Sequence, residues 1–263
     1  MSSNKVQQGH VFLIKLTSSR QLVNASVTID NRTIALQAED GAYWAVFAFS
    51  RFANIAPLGK RTAAARGTDA QGNVATDSAP VELAAANFTT IHAEGVPTAF
   101  DPSDYNKEEQ IMAPIRNTIS PKQLWQGLFA RPVTTGTITS EYGQTLIWED
   151  GSSSSHEGTD FGGLPIGTPI LAANDGVVVL AQRLVVRGNA VIIDHGLGVH
   201  TGYYHMSQIL VNKGDVVKKG QVIGKLGDTG RVTGAHLHWD FIVNGLNADP
   251  MEWTTHVFTT TPR

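Results

Sequence analysis

The sequence predicts an all-β protein in two parts, on three observations. Short apolar segments recur along the chain, turn residues separate them at close intervals, and almost no stretch repeats with helical periodicity. The 263 residues suffice for one large domain or two ordinary ones, each able to bury a core.

The first ~90 residues carry five such segments, HVFLIKL (10–16), ASVTID (25–30), RTIALQA (32–38), YWAVFAF (43–49) and RTAAARGTDA (61–70). Turns are marked by Asp30-Asn31, Asp40-Gly41, Pro57-Leu58-Gly59 and Gln71-Gly72-Asn73. Strands at this spacing predict an immunoglobulin-like β-sandwich over 1–90. ARGTDAQGNVA is similar to the late strands of bacterial immunoglobulin-like modules. His10 and His92 stand alone in this half and form no catalytic constellation.

Residues 91–130 are expected to form a connector. Asp101, Ser103 and Asp104 supply helix-cap chemistry, and Pro114 is expected to limit the helix to about 106–112. Leu124, Trp125, Leu128 and Phe129 then predict a segment docked on the C-terminal domain. From Arg131 to the end the texture turns to Gly and Val. GVVVLAQ (176–182), NAVIIDHG (189–196), HTGYYHM (200–206), DVVKKGQVIGKLG (215–227) and AHLHWDFIVNG (235–245) predict an antiparallel sheet. VNKGDVVKKGQVIGKLG also resembles the hairpin of biotinyl and lipoyl carriers, but Lys218-Lys219 lack the flanking residues of a modified lysine.

Charge narrows the partners. Eleven basic and eleven acidic residues precede Arg131, and nine and twelve follow, so the net −3 lies in the second half. With no basic stripe, nucleic acid is not an expected partner. No apolar run approaches the roughly 20 residues of a membrane span. MSSNKVQQGH lacks the apolar core of a signal peptide, which fits either a cytosolic protein or one whose signal has been removed. The chain has no cysteine, so any metal here must use histidine and carboxylate.

Such donors are present. In TGAHLHWDF, His236 and His238 are two apart on a predicted strand and project to one face, while Leu237 and Trp239 face a core. Upstream, SSSSHEGTDFGG holds His156 and Asp160 in a glycine-rich turn feeding a strand. Two histidines and one aspartate supply three ligands and leave a fourth position for water, the pattern of a catalytic zinc site. In GYYHMS, His205 is a further histidine available for proton chemistry.

HEGTDFGG, YYHMS and GAHLHWDF, in this order, resemble the three signature segments of the lysostaphin-type (LytM-like) zinc endopeptidases, which cut bacterial peptidoglycan. The likeness runs from about Arg131 to Trp253, and predicts that 131–263 forms a lysostaphin-type antiparallel, barrel-like peptidase domain. It implies one Zn2+ held by His156, Asp160 and His238, with His205 and His236 as the catalytic pair. It further implies a peptidoglycan peptide as substrate and a periplasmic, secreted or wall-associated location. Tyr204, Thr229, Gly230 and Thr233 are candidate substrate contacts.

Two departures from the family pattern stand out. Glu157 takes a place where a small or hydroxyl residue is frequent, and GQTLIWEDGSSSSHEG lacks the arginine often found before the first ligand. Glu157 is a rival base, although the His-Glu-x-x-His helix of the peptidases that use one is missing. His195 and His200 are expected in a loop near the groove, and Asp240 either orients an imidazole or is surface polar. The resemblance leaves open which of His205 and His236 is the base, and whether the bond cut is a glycine bridge or a D-alanyl–diaminopimelate cross-link. Two other functions compete: a non-catalytic wall-binding or hydrolase-activating module on the same fold, and an adhesin acting through the N-terminal sandwich.

Overall fold

A computed structural model describes residues 4–51, 58–92 and 101–258. The expected turn at Pro57 therefore falls partly outside the described residues. The chain divides into one unit spanning 1–86 with 258–263, and a second spanning 87–257.

The first unit holds β1 (Lys5–Gln7), β2 (Val11–Thr17), β3 (Leu22–Ile29), β4 (Arg32–Ala35), β5 (Gln37–Glu39), β6 (Ala42–Ala48), β7 (Gly59–Asp69) and β8 (Val74–Ala84). They form two sheets, ordered β1-β8-β7-β3-β4 and β2-β6-β5. Val27, Ile29, Ile34, Phe47, Phe49 and Leu83, drawn from both sheets and their connections, share one core. The predicted segment 32–38 is two strands, because the chain leaves one sheet after Ala35 and joins the other at Gln37.

The second unit comprises β9 (Thr90–His92), α1 (Pro102–Arg116), β10 (Thr137–Ser140), β11 (Thr145–Ile147), β12 (Ser153–Ser155), β13 (Thr159–Gly162), β14 (Pro169–Leu171), β15 (Gly176–Arg183), β16 (Asn189–Gly196), β17 (Val199–Ile209), β18 (Val216–Val217), β19 (Val222–Leu226), β20 (Leu237–Val243), β21 (Leu246–Ala248) and α2 (Glu252–Thr255). Its main sheet runs β10-β13-β20-β17-β16-β15-β18, with β21 on β20 and β19 bridging β17 to β14. Every pairing in it is antiparallel. The sheet branches at β17 and β20. A smaller sheet, β12-β11-β9, carries the hairpin that leads into His156.

Helix α1 is longer than the expected 106–112. Asp101 caps it by accepting from the Ser103 N–H at 2.8 Å, which starts it early. Pro114 falls in the last turn, where the Asn117 amide closes on the Ala113 carbonyl at 2.8 Å and the Thr118 hydroxyl on the Pro114 carbonyl at 3.0 Å. The segment 124–129 follows its expectation in part. Trp125 and Phe129 are buried, and Phe129 meets Phe241 at 4.9 Å and Trp253 at 5.3 Å between ring centroids. Leu128 is exposed. Among the described residues no helix is long and apolar enough to cross a membrane.

His195 and His200 lie on β16 and β17, fully buried, so the expectation of a loop near the groove is corrected. The His195 ring bridges the Asp175 carbonyl at 2.7 Å and the Thr201 hydroxyl at 2.8 Å. Burial lowers its pKa to about 4, although the Asp175 carbonyl opposes the shift. In the unfolded chain the same ring protonates near ~6.5. Between those values the unfolded state takes up a proton that the folded state refuses, so stability falls as pH drops from about 6.5 toward 4. The loss attributable to this ring is on the order of 1–3 kcal/mol. Urea unfolding at pH 7 and pH 5 should show a smaller pH-dependent loss in His195→Gln than in the parent. Equal losses would remove His195 as the cause.

Candidate active site

Strand register assembles the donors. Asp160 on β13 lies directly opposite His238 on β20, and His238 lies opposite Tyr204 on β17. Residues facing each other across an antiparallel pair are close enough for their side chains to touch. His236 shares the face of His238 two residues earlier, as the strand period requires. His156 reaches the same point through the turn before β13. A Cβ on Gly158 would fall 2.5 Å from the Trp239 carbonyl and 2.7 Å from His238 Nε2, so only glycine lets the backbone pass there.

His156 Nε2, Asp160 Oδ1 and His238 Nδ1 form a triangle. Its sides are 3.0 Å between the imidazoles, 3.0 Å from His156 to Asp160 and 2.9 Å from His238 to Asp160. The three are partly or wholly buried. The outer nitrogens fix the tautomers. His156 Nδ1 lies 3.1 Å from the Glu141 carbonyl, and His238 Nε2 lies 2.8 Å from Asp240 Oδ1. In the neutral rings each outer nitrogen donates its hydrogen away from the centre, so that two imidazole lone pairs and a carboxylate face one another. Such an all-acceptor cluster calls for a cation.

The titration of these groups reflects the pull of the two carboxylates for positive charge at the centre. Burial disfavours charge on His238, but Asp240 and Asp160 outweigh it and hold the ring up to about 10. Burial would raise Asp160, but His156 and His238 bring its carboxyl well below the usual range. The donor set fits zinc. Tetrahedral bonds of ~2.0–2.1 Å separate ligand atoms by about 3.3 Å, close to the triangle observed.

His205 and His236 stand beside the triangle with ring centroids 4.9 Å apart. His205 Nδ1 donates to the Thr229 carbonyl at 2.9 Å and His236 Nδ1 to the Gly234 carbonyl at 2.8 Å. In its neutral form each ring therefore presents an unprotonated Nε2. That of His236 is 3.8 Å from Asp160 Oδ2. Burial, reinforced by the neighbouring rings of His236 and His238, lowers His205 to about 3 and keeps it neutral. His205 occupies the left-handed region at φ 62°, beside a register irregularity between β16 and β17. Such an irregularity turns a side chain out of the strand's alternation.

Other sequence candidates are placed differently. Tyr204 is only 1% exposed and its ring stacks on His238 at 5.6 Å, so the expected substrate contact is corrected to a support for that imidazole. Thr229 and Gly230 are half-buried and hold structure. The Thr229 hydroxyl accepts from the Asn189 N–H and donates to the Met206 carbonyl, while Gly230 packs on the backbone of Val186 and Gly188. Thr233 is exposed. Asp240 is buried, and its bond to His238 settles the open choice in favour of an orienting carboxylate. Arg187, which touches the ring of Tyr204, lies in no motif that would mark it in the sequence.

Peptidase family M23 matches residues 154–250, a span that holds all five donors. The second unit carries a peptidase family M23 domain. Around this M23 domain, the chain is 46% identical over 108 residues to the peptidoglycan DD-endopeptidase ShyA of Vibrio cholerae. That match takes in 41% of this chain and 25% of ShyA. It is 49% identical over 100 residues to ShyC of the same organism, covering 38% and 23% of the two chains. This chain therefore spans about a quarter of the length of these relatives. A solved peptidase M23 from Pseudomonas aeruginosa matches 96% of this chain and 95% of its own at a TM-score of 0.69 and 24% identity, which shows a shared fold.

Proposed function

We propose that this chain is a zinc-dependent endopeptidase that hydrolyses peptide bonds of peptidoglycan, in cross-links or stem peptides. The observation that carries this reading is the triangle of His156 Nε2, Asp160 Oδ1 and His238 Nδ1, flanked by two further imidazoles whose Nδ1 atoms are held by backbone carbonyls. The names of the matched relatives favour the D-alanyl–diaminopimelate cross-link over a glycine bridge as the bond cut. A peptidoglycan substrate supports a periplasmic, secreted or wall-associated location. The strand order of the first unit supports an immunoglobulin-like sandwich.

His156, Asp160 and His238 would hold the ion, which would supply Lewis acidity to the scissile carbonyl and to water. Asp240, Glu141 and Tyr204 keep the ligand rings in orientation. His205 and His236 handle the protons. An unprotonated Nε2 takes the proton of the attacking water as its oxygen adds to the carbonyl carbon. The same proton then passes to the amide nitrogen as the C–N bond breaks. Thr229 and Gly234 hold both Nδ1–H groups, so each ring presents the correct nitrogen throughout.

Two experiments test this reading. Digestion of cross-linked muropeptide dimers, read by mass spectrometry, should release monomers with a new D-alanyl carboxylate, stop with chelator and resume with zinc. Cleavage unaffected by chelator would overturn the metal assignment, and intact dimers would overturn the substrate. Second, Asp240→Asn should weaken zinc binding or turnover by roughly 10–100-fold, because the carboxylate that fixes the His238 tautomer is gone. Competition titration against a zinc chelator together with cleavage assays measures this. Parental affinity and rate would show that Asp240 does not tune the ligand.

A further inference from the structure

Resting on the endopeptidase reading, we infer that Arg187, clamped by helix α1, is a positioning residue for His205 and Tyr204. The working peptidase unit then begins at this helix, about fifty residues before the M23 match.

The segment Val186–Gly188 joins β15 to β16 and faces helix α1 on one side and the site on the other. On the helix side, the buried Glu108 carboxylate accepts from the N–H groups of Val186 and of Arg187, the latter at 3.4 Å. The same carboxylate takes the Arg187 guanidinium at 3.0 Å, and Glu109 takes it at 3.2 Å. Arg116 pairs with Glu109 and completes the cluster. On the site side, the Arg187 carbonyl accepts the N–H of His205 at 3.0 Å. The Val186 carbonyl accepts the N–H of Arg231 at 2.7 Å, and Gly188 packs against Thr229 so closely that a Cβ would lie 2.3 Å from its carbonyl oxygen.

That carbonyl oxygen is the one that holds His205 Nδ1. Both bonds that fix His205, one to its backbone and one to its ring, therefore trace back to the turn that Glu108 grips. The guanidinium lies 5.6 Å from the ring of Tyr204, which stacks on His238, and 5.6 Å from that of Tyr105 on the helix. Buried ion clusters are weak sources of stability, because desolvation offsets their attraction, whereas their geometry is well defined. Here that geometry holds a histidine in a left-handed conformation that the strand alone does not favour.

The test uses the full chain with Glu108→Gln/Glu109→Gln, which keeps volume, and Arg187→Met and Arg187→Lys. Three quantities are read: zinc content, kcat and KM on a cross-linked dimer, and the long-range 1H–15N signals of the imidazoles. The glutamine pair and Arg187→Met should keep zinc and KM, and lower kcat roughly 10–100-fold by misplacing His205. Arg187→Lys should recover part of that loss. Combining the helix and Arg187 changes should add little further, since they break one chain of contacts. The His205 signals should move while those of His92 stay.

A merely structural cluster would instead lower Tm, leaving kcat and the His205 signals at parental values, and that result would overturn the inference. Should Arg187→Met fail to fold, the glutamine pair gives the same readings. Should the parent cleave nothing, the endopeptidase reading fails on its own, and the His205 signals still decide the positioning claim.

Discussion

Replacing Asp160 with alanine is expected to leave a folded protein that no longer binds stoichiometric zinc and no longer cuts peptidoglycan peptides. Asp160 is the only carboxylate in the triangle, and its Oδ1 lies 3.0 and 2.9 Å from the central nitrogens of His156 and His238. Its removal takes away one of three protein ligands and the charge that draws a dication into a part-buried site. Asp160→Asn keeps the volume and loses the charge, so it should fail in the same way. Bound zinc stabilises the parent with the logarithm of its excess over Kd, by ~2.7 kcal/mol at a hundredfold excess. The parent's Tm should therefore rise on adding zinc, and that of either variant should not. Metal analysis after dialysis gives the stoichiometry directly. A variant retaining one zinc per chain would place the ion elsewhere.

The opposite pattern is expected of the second pair. His205→Ala and His236→Ala should retain zinc at parental stoichiometry and lose roughly 10²–10⁴-fold in kcat, the range supplied by a positioned proton-transfer group. Neither ring contributes an atom to the triangle, and both Nδ1 atoms are occupied by backbone carbonyls. The two variants should differ in stability. His236 is partly exposed, whereas His205 is buried in the left-handed region, where asparagine is tolerated better than alanine. His205→Asn should accordingly fold more stably than His205→Ala while remaining as slow. Zinc loss in His236→Ala would move that residue into the coordination sphere, and its 3.8 Å approach to Asp160 makes it the residue to watch.

Much of the donor set is legible in the sequence because it rests on strand alternation and local spacing. His236 and His238 share a face, and Leu237 and Trp239 fill the core behind them, because period two leaves no other choice. The apolar segments that form β15, β16, β17 and β20 lie where the pattern puts them.

What the pattern cannot carry is long-range or polar. Strand β8 is exposed along most of its length and contains Pro80, so it offers no apolar alternation to read. The hairpin of β11 and β12 ends in Ser153–Ser155, a run with no hydrophobic face. Helix α1 exceeds its expected length because its ends are set by side-chain caps. The Glu108–Arg187 contact joins residues 79 apart, and nothing near either residue announces the other. The left-handed turn at His205 results from pairing across β16 and β17, which residue types do not encode. Tyr204 reads as a groove residue because strand alternation allows either face, and only the register with His238 buries it.

In the proposed mechanism three of the five donors would bind zinc and two would move protons, and the reading hangs on that division. Zinc K-edge X-ray absorption on the zinc-loaded protein tests it most directly. One zinc per chain is expected, with two imidazole nitrogens and oxygen ligands at ~2.0–2.2 Å, unchanged in His205→Ala and His236→Ala. A shell with three or more imidazoles, or one that loses a nitrogen when His236 is removed, would contradict it.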